Sequence, residues 1–252
     1  MESSILLPVN SSALSYHIAE YTVRFAEQMQ IKTIILYASE YQPWIIDGDT
    51  IYEGSFSRLY LKKICDTLQL FSEQIRTPPN YKLNFIIKAD FLPILAGIHE
   101  IMANHEVAFM IALRNRLTIG LSKLIELPFI LVPCDYIFKG ISAILSPSDS
   151  LSFHQEQLFD QIEKIITEFP VKIMINRFVA YVSDLRSLST VQHMEEFLEK
   201  CQGVAFLNNV AEELNVDLIL LLRKEMNVFR FSGQAESWRK IVKTSEKPIL
   251  IL

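Results

Sequence analysis

The sequence predicts an α/β protein built from two like domains in tandem, and three observations lead there. First, an apolar strand that ends in proline and short polar residues is written twice, as Ile5-Leu-Leu-Pro-Val-Asn-Ser11 and as Ile144-Leu-Ser-Pro-Ser-Asp-Ser150. Second, apolar runs of strand length alternate with amphipathic helical patterns along the chain. Third, 252 residues suit two domains of ordinary size, each able to bury a core. A spacing of about 140 residues between the copies is too long for a solenoid repeat, so a duplicated domain is the better reading.

The repeated stretch has a simple logic. A buried parallel strand reads as continuous Val, Ile and Leu, and Asn, Asp or Ser at its end caps the helix that follows. Proline stops the strand because it has no N–H for a ladder. In the first half, Ser4 to Val9 is strand one, and Ser11 or Ser12 opens a helix with Leu14, Ile18, Thr22, Phe25 and Met29 on one face. Lys32 to Ala38 is strand two, dense in β-branched and aromatic residues. A long irregular stretch, Ser39 to Ser55, carries Tyr41, Trp44, Asp47, Asp49 and Tyr52. Helical period returns from Phe56 to Ile75 and stops at Thr77-Pro-Pro-Asn80. Strand three is then Lys82 to Lys88, helix three runs from Phe91 through Met102, and strand four is Val107 to Leu113. A helix with Leu117, Leu121 and Leu124 leads into strand five, Pro128 to Pro133.

Cys134 to Gly140 is a short connector, which sets the expected domains at residues 1–133 and 141–252. The second half opens with Ala143 to Pro147 as strand one, a helix with Leu158, Ile162, Ile165 and Phe169, and Val171 to Asn176 as strand two. Ser189 to Cys201 and Ala211 to Asn215 read as helix, but Gly203 to Leu207 fits a strand or a helix equally, which leaves the topology of Arg177 to Asn215 open. Val216 to Leu222 is strand four. A polar loop with Phe229, Phe231 and Gly233, a helix around Trp238 and Ile241, and the strand Pro248 to Leu252 complete the chain. Alternation of this kind implies right-handed crossovers and a parallel sheet covered on both faces, with ligands at the carboxyl ends of the strands. In the first half that edge includes Asn10, Ser39 and Arg114.

Composition narrows the function. Half the residues (50%) are apolar and 21% are charged, as in a globular protein. A net charge of -5 without a basic block argues against a nucleic-acid partner. Met1-Glu-Ser-Ser4 has no signal-peptide character and no apolar run reaches membrane length, so a cytoplasmic protein with no membrane partner is expected. Cys65, Cys134 and Cys201 are widely spaced and read as buried free thiols.

The two openings, together with Ala211-Glu-Glu-Leu-Asn-Val-Asp-Leu-Ile-Leu220 before strand four and the Pro-hydrophobic ends of both halves, resemble the tandem universal stress proteins over essentially the whole chain. That resemblance implies two doubly wound five-stranded parallel-sheet domains of the adenine nucleotide alpha hydrolase-like type. It also implies packing through their fifth strands, with Phe129 to Val132 against Pro248 to Leu252 as an intramolecular pseudo-dimer; a further homodimer is left open. Such pairing covers an otherwise bare sheet edge.

Some members of the family bind ATP through a Gly-x2-Gly-x9-Gly-Ser/Thr loop after strand four, where glycine lets backbone N–H groups approach phosphates. Here the two corresponding stretches, Leu113 to Ser122 and Leu222 to Gln234, hold one glycine each, Gly120 and Gly233. The carboxylate that follows strand one in the family is kept as Asp149 and replaced by Asn10. Asn10, Arg114 and Asp149 are therefore the nucleotide-site candidates. For Asp149 the competing reading is a plain helix cap, and for Arg114 and Arg116 it is a solvated loop charge.

His99 and His105 are not at the i and i+4 positions of a zinc helix. Asp47-Gly-Asp49 reads as a turn rather than a calcium loop. Tyr41, Trp44 and Tyr52 suit either a protein interface or a lid on the domain's own core. With no Gly-x-Ser-x-Gly elbow and no Walker loop, the expectation is a non-enzymatic stress-response protein without cofactor or metal, acting on protein partners or a small effector. The alternative is an ATP-binding, slowly hydrolysing switch.

Overall fold

The computed structural model describes residues 3–10, 16–40, 54–146, 172–175, 178–181, 208, 211–212, 215–221, 223, 229–231, 234–236 and 238–252. The chain divides into two compact units, Met1–Ala112 and Leu113–Leu252.

The first unit is built on β1 (Ser4–Pro8), β2 (Thr33–Ser39), β3 (Asn84–Asp90) and β4 (Val107–Leu113). Among the described residues these strands lie in the order β3-β2-β1-β4, every pair parallel, so β1 has a neighbour on each side. Ile5, Leu6, Leu7, Ile34, Ile35 and Leu36 are essentially inaccessible to solvent, which is why the strands read as unbroken apolar runs. Fully burying each such side chain stabilises by about 1.5–3 kcal/mol.

Three helices accompany these strands: α1 (Tyr16–Gln28), α2 (Gly54–Gln74) and α3 (Ile94–Asn104). α1 buries Ile18, Thr22 and Phe25 as its spacing requires, and Phe25 meets Phe109 of β4 edge-on at 5.0 Å between ring centres. Thr22 is tolerated there because its hydroxyl donates to the Ile18 carbonyl one turn back at 2.7 Å. α2 buries Ile64, Leu68 and Phe71. Pro93 precedes the first turn of α3, so that helix starts later than the expected Phe91. β3 lies two residues beyond its expected place, with Asp90 rather than Lys88 at its end.

The second unit contains α4 (Arg116–Leu121), β5 (Phe129–Val132), β6 (Ala143–Ser146), β7 (Lys172–Ile175), β8 (Phe178–Tyr181), β9 (Leu218–Leu221), β10 (Phe229–Phe231), β11 (Gln234–Glu236), α5 (Trp238–Thr244) and β12 (Ile249–Ile251). Its main described strands follow the order β5-β12-β9-β6-β7-β8. β6 lies between β7 and β9, parallel to both, as β1 lies between β2 and β4. β5 and β12 pair antiparallel, with Leu131 opposite Ile249, Ile130 opposite Leu250 and Phe129 opposite Ile251. The two segments that the resemblance brings together are thus paired, both within the second unit.

Three expectations need correction. The second half is not wholly parallel: β8 returns antiparallel to β7, in the stretch whose short apolar run admitted two readings. The polar loop around Phe229 and Phe231 contains a two-stranded antiparallel ribbon, β10 with β11. The expected helix at Leu117 and Leu121 is present as α4, in which Leu121 is 4% exposed and Leu117 57%; Leu124, 61% exposed, follows it. A cap at Asn115 fixes the short α4 so that Thr118 and Leu121, three apart, point inward. Of the supposedly buried thiols, Cys134 is exposed in a surface turn and Cys65 is half-buried, where desolvation raises its pKa; Cys201 lies outside the described residues. No described helix is long and apolar enough to cross a membrane.

Candidate functional site

At the carboxyl edge of the first unit, β1 hands over to Asn10, which is exposed, after the Val9 N–H donates to the Tyr37 carbonyl at 2.8 Å. The neighbouring strand ends carry their own polar closure. Tyr37 has a fully buried ring whose hydroxyl donates to Asp90 Oδ1 at 2.9 Å. The same oxygen receives the Leu92 N–H at 3.0 Å, and the Glu40 N–H bonds the Asp90 carbonyl at 2.9 Å. The Ser39 hydroxyl donates to the Leu92 carbonyl at 2.6 Å. Burial, then the hydrogen bond and the charge of Asp90, push the Tyr37 phenol well above its ordinary range, so it stays a donor.

Gly97 of α3 makes this closure possible. A Cβ on Gly97 would stand 1.7 Å from the Tyr37 hydroxyl and 2.5 Å from its Cζ. Glycine inside a helical pattern costs roughly 1 kcal/mol against alanine, so its presence there calls for a packing reason. The closely approaching Tyr37 supplies it, and that lone glycine was the signal in the sequence.

The loop after β4 is short and internally satisfied. The Arg114 N–H donates to the Val132 carbonyl at 2.7 Å. Asn115 and Thr118 form a reciprocal cap, with the Thr118 N–H on Asn115 Oδ1 at 2.9 Å and the Asn115 N–H on Thr118 Oγ1 at 3.0 Å. The Thr118 hydroxyl itself donates to the Leu113 carbonyl at 2.7 Å. The backbone donors at Arg114, Asn115 and Thr118, which a phosphate cradle would turn toward its ligand, are therefore taken by protein acceptors. Gly120 lies in α4, not in a loop.

The Arg114 side chain is half-buried and donates through Nη1 to the Ser245 carbonyl, just past α5. Desolvation draws its pKa down, while Cys134 and Asp135 act the other way. Arg223, the corresponding residue after β9, donates through Nε to the Ser122 carbonyl at 3.2 Å and through Nη2 to the Leu127 carbonyl at 2.8 Å. Desolvation likewise lowers its pKa, opposed by Glu126. The two Leu-Arg steps after strand four were visible in the sequence, yet nothing local announces what the arginines hold.

Of the three nucleotide-site candidates, Asn10 belongs to the first unit, Arg114 to the second, and Asp149 lies outside the described residues. Arg116 is exposed, and Gly233 lies outside the described residues, as do Tyr41, Trp44, Asp47, Asp49 and Tyr52. His99 is exposed on α3 and His105 is the residue that ends it. The described residues contain no cluster of three or more metal-ligating side chains. A further carboxylate, Asp217 at the entrance to β9, organises the amino end of β6: its Oδ2 accepts the Ser142 N–H at 2.8 Å, the Ser142 hydroxyl at 2.7 Å and the Ala143 N–H at 3.1 Å.

No protein-family model matches the sequence, and no curated protein matches it. In three dimensions the chain is similar to the crystal structure of a universal stress protein from Archaeoglobus fulgidus DSM 4304, with a TM-score of 0.53 and 10% identity over 99% of this chain and 98% of that one. At that identity the likeness carries the fold, so the chain has an α/β fold like that of a universal stress protein.

Proposed function

We propose that this chain is a universal stress protein-like protein of the tandem type, cytoplasmic and non-enzymatic, that acts by binding other proteins or a small effector. In this reading the loops after strand four no longer form nucleotide sites. The observation that supports it most directly is the use of the Arg114, Asn115 and Thr118 N–H groups on internal acceptors. A phosphate arriving there would have to break the Asn115–Thr118 cap and the Arg114–Val132 bond. Caps of this type contribute about 1 kcal/mol, so the exchange starts at a disadvantage. The fold likeness to a universal stress protein supplies the family context.

Equilibrium binding of labelled ATP to the full chain, with and without magnesium, tests the reading. No saturable binding at micromolar nucleotide is expected. Micromolar affinity would overturn the proposal.

A further inference from the structure

We propose that Arg114 and Arg223 form a reciprocal clasp that holds β5 and β12 together, one arginine at each end of the pair. Each arginine ties down its own segment by main chain and the opposite segment by side chain. The Arg114 N–H bonds the Val132 carbonyl at the end of β5, while its guanidinium reaches Ser245, a few residues ahead of β12. The Arg223 N–H bonds the Leu252 carbonyl just past β12, while its guanidinium reaches Ser122 and Leu127 ahead of β5. Because Leu131 faces Ile249 and Phe129 faces Ile251, Val132 and Leu252 stand at opposite ends of the strand pair.

The chemistry of the acceptors suits the role. Ser122 and Ser245 follow α4 and α5 directly and are both fully buried. Carbonyls past a helix end lack an intrahelical partner and carry the negative end of the dipole, which favours a cation. A buried carbonyl without a donor is costly, so the guanidinium stabilises the seam by more than its packing. The two clasps differ in one respect: Arg223 spans two carbonyls and needs its fork, whereas Arg114 engages one and needs only a charged donor.

Amide hydrogen exchange on the full-length chain tests the clasp. Arg114→Ala is expected to speed exchange about tenfold or more at the Val132 and Ile249 end, and Arg223→Ala to do so at the Phe129 and Ile251 end, with β1 to β3 unchanged. Arg114→Lys is expected to stay near the parent rate and Arg223→Lys to approach its alanine variant. The lysine pair retains the charge and carries the test if either alanine variant fails to fold. Parent-like exchange along β5 and β12 in every variant that folds would overturn the proposal. So would equal acceleration in β1 to β3, or a lysine pattern in the reverse sense.

Discussion

The carboxyl edges of the two units solve the same problem with different chemistry. Parallel strands of an α/β sheet leave polar groups at their carboxyl ends, and those groups need partners. In the first unit a neutral phenol, Tyr37, closes the edge on the carboxylate of Asp90, with Gly97 giving it room. In the second unit a guanidinium group, that of Arg223 after β9, closes it on the Ser122 and Leu127 backbone carbonyls. The difference teaches that an edge suited to ligands by topology can be occupied by the protein's own side chains. A hydroxyl donor restricts such a closure by shape, and a charged donor restricts it by electrostatics.

Gly97→Ala should break the first edge with the largest effect. Its Cβ has nowhere to go, because Tyr37 is fully buried and cannot swing aside, so a loss of about 1–3 kcal/mol in denaturant unfolding is expected. A Tyr37→Phe background recovers only part of that loss, since Cζ remains 2.5 Å from the added carbon.

Tyr37→Phe alone should cost about 1.5 kcal/mol at neutral pH, as a hydrogen bond to a charged acceptor is lost. It also sharpens the comparison through pH. A phenol whose folded pKa lies above its ordinary 10.0 contributes stability that is fully present below pH 10 and lost as pH rises through the folded value. Tyr81 in the first unit and Tyr136 in the second, both pushed up to about 12 chiefly by burial, therefore weaken the protein between pH 10 and 12. The Tyr37→Phe substitution should remove the Tyr37 share of the decline above pH 10 while leaving theirs, measurable as stability against pH.

The smallest effect, and the opposite sign, is expected from Gly120→Ala. This second glycine is also helical, but a Cβ there meets nothing within 4 Å. A gain of about 0.8–1 kcal/mol in unfolding free energy is expected from helix propensity alone. Two glycines of the same backbone class would thus separate packing from propensity.

Much of the fold was legible because it rests on local pattern. Val107 to Leu113 reads as a strand and is one, since a run of seven apolar residues can satisfy neither a turn nor an exposed helix. The faces of α1 and α2 follow from spacing, and the pairing of Phe129 to Val132 with the last strand followed from the resemblance. Where the pattern was short or polar it ran out. β8 and the β10–β11 ribbon are strands of three or four residues whose partners define them.

The sequence by itself determined the alternation of strands and helices, the apolar core and the single glycine in each stretch after strand four, because each of these is written in neighbouring residues. The tertiary structure alone decided what Arg114, Arg223 and Tyr37 hold. Their acceptors lie 131, 101 and 53 residues away along the chain, and a hydrogen bond is chosen by distance in space. An arginine after a strand is compatible with a phosphate, with solvent or with a buried carbonyl, and only the surroundings brought by folding set which acceptor is within reach.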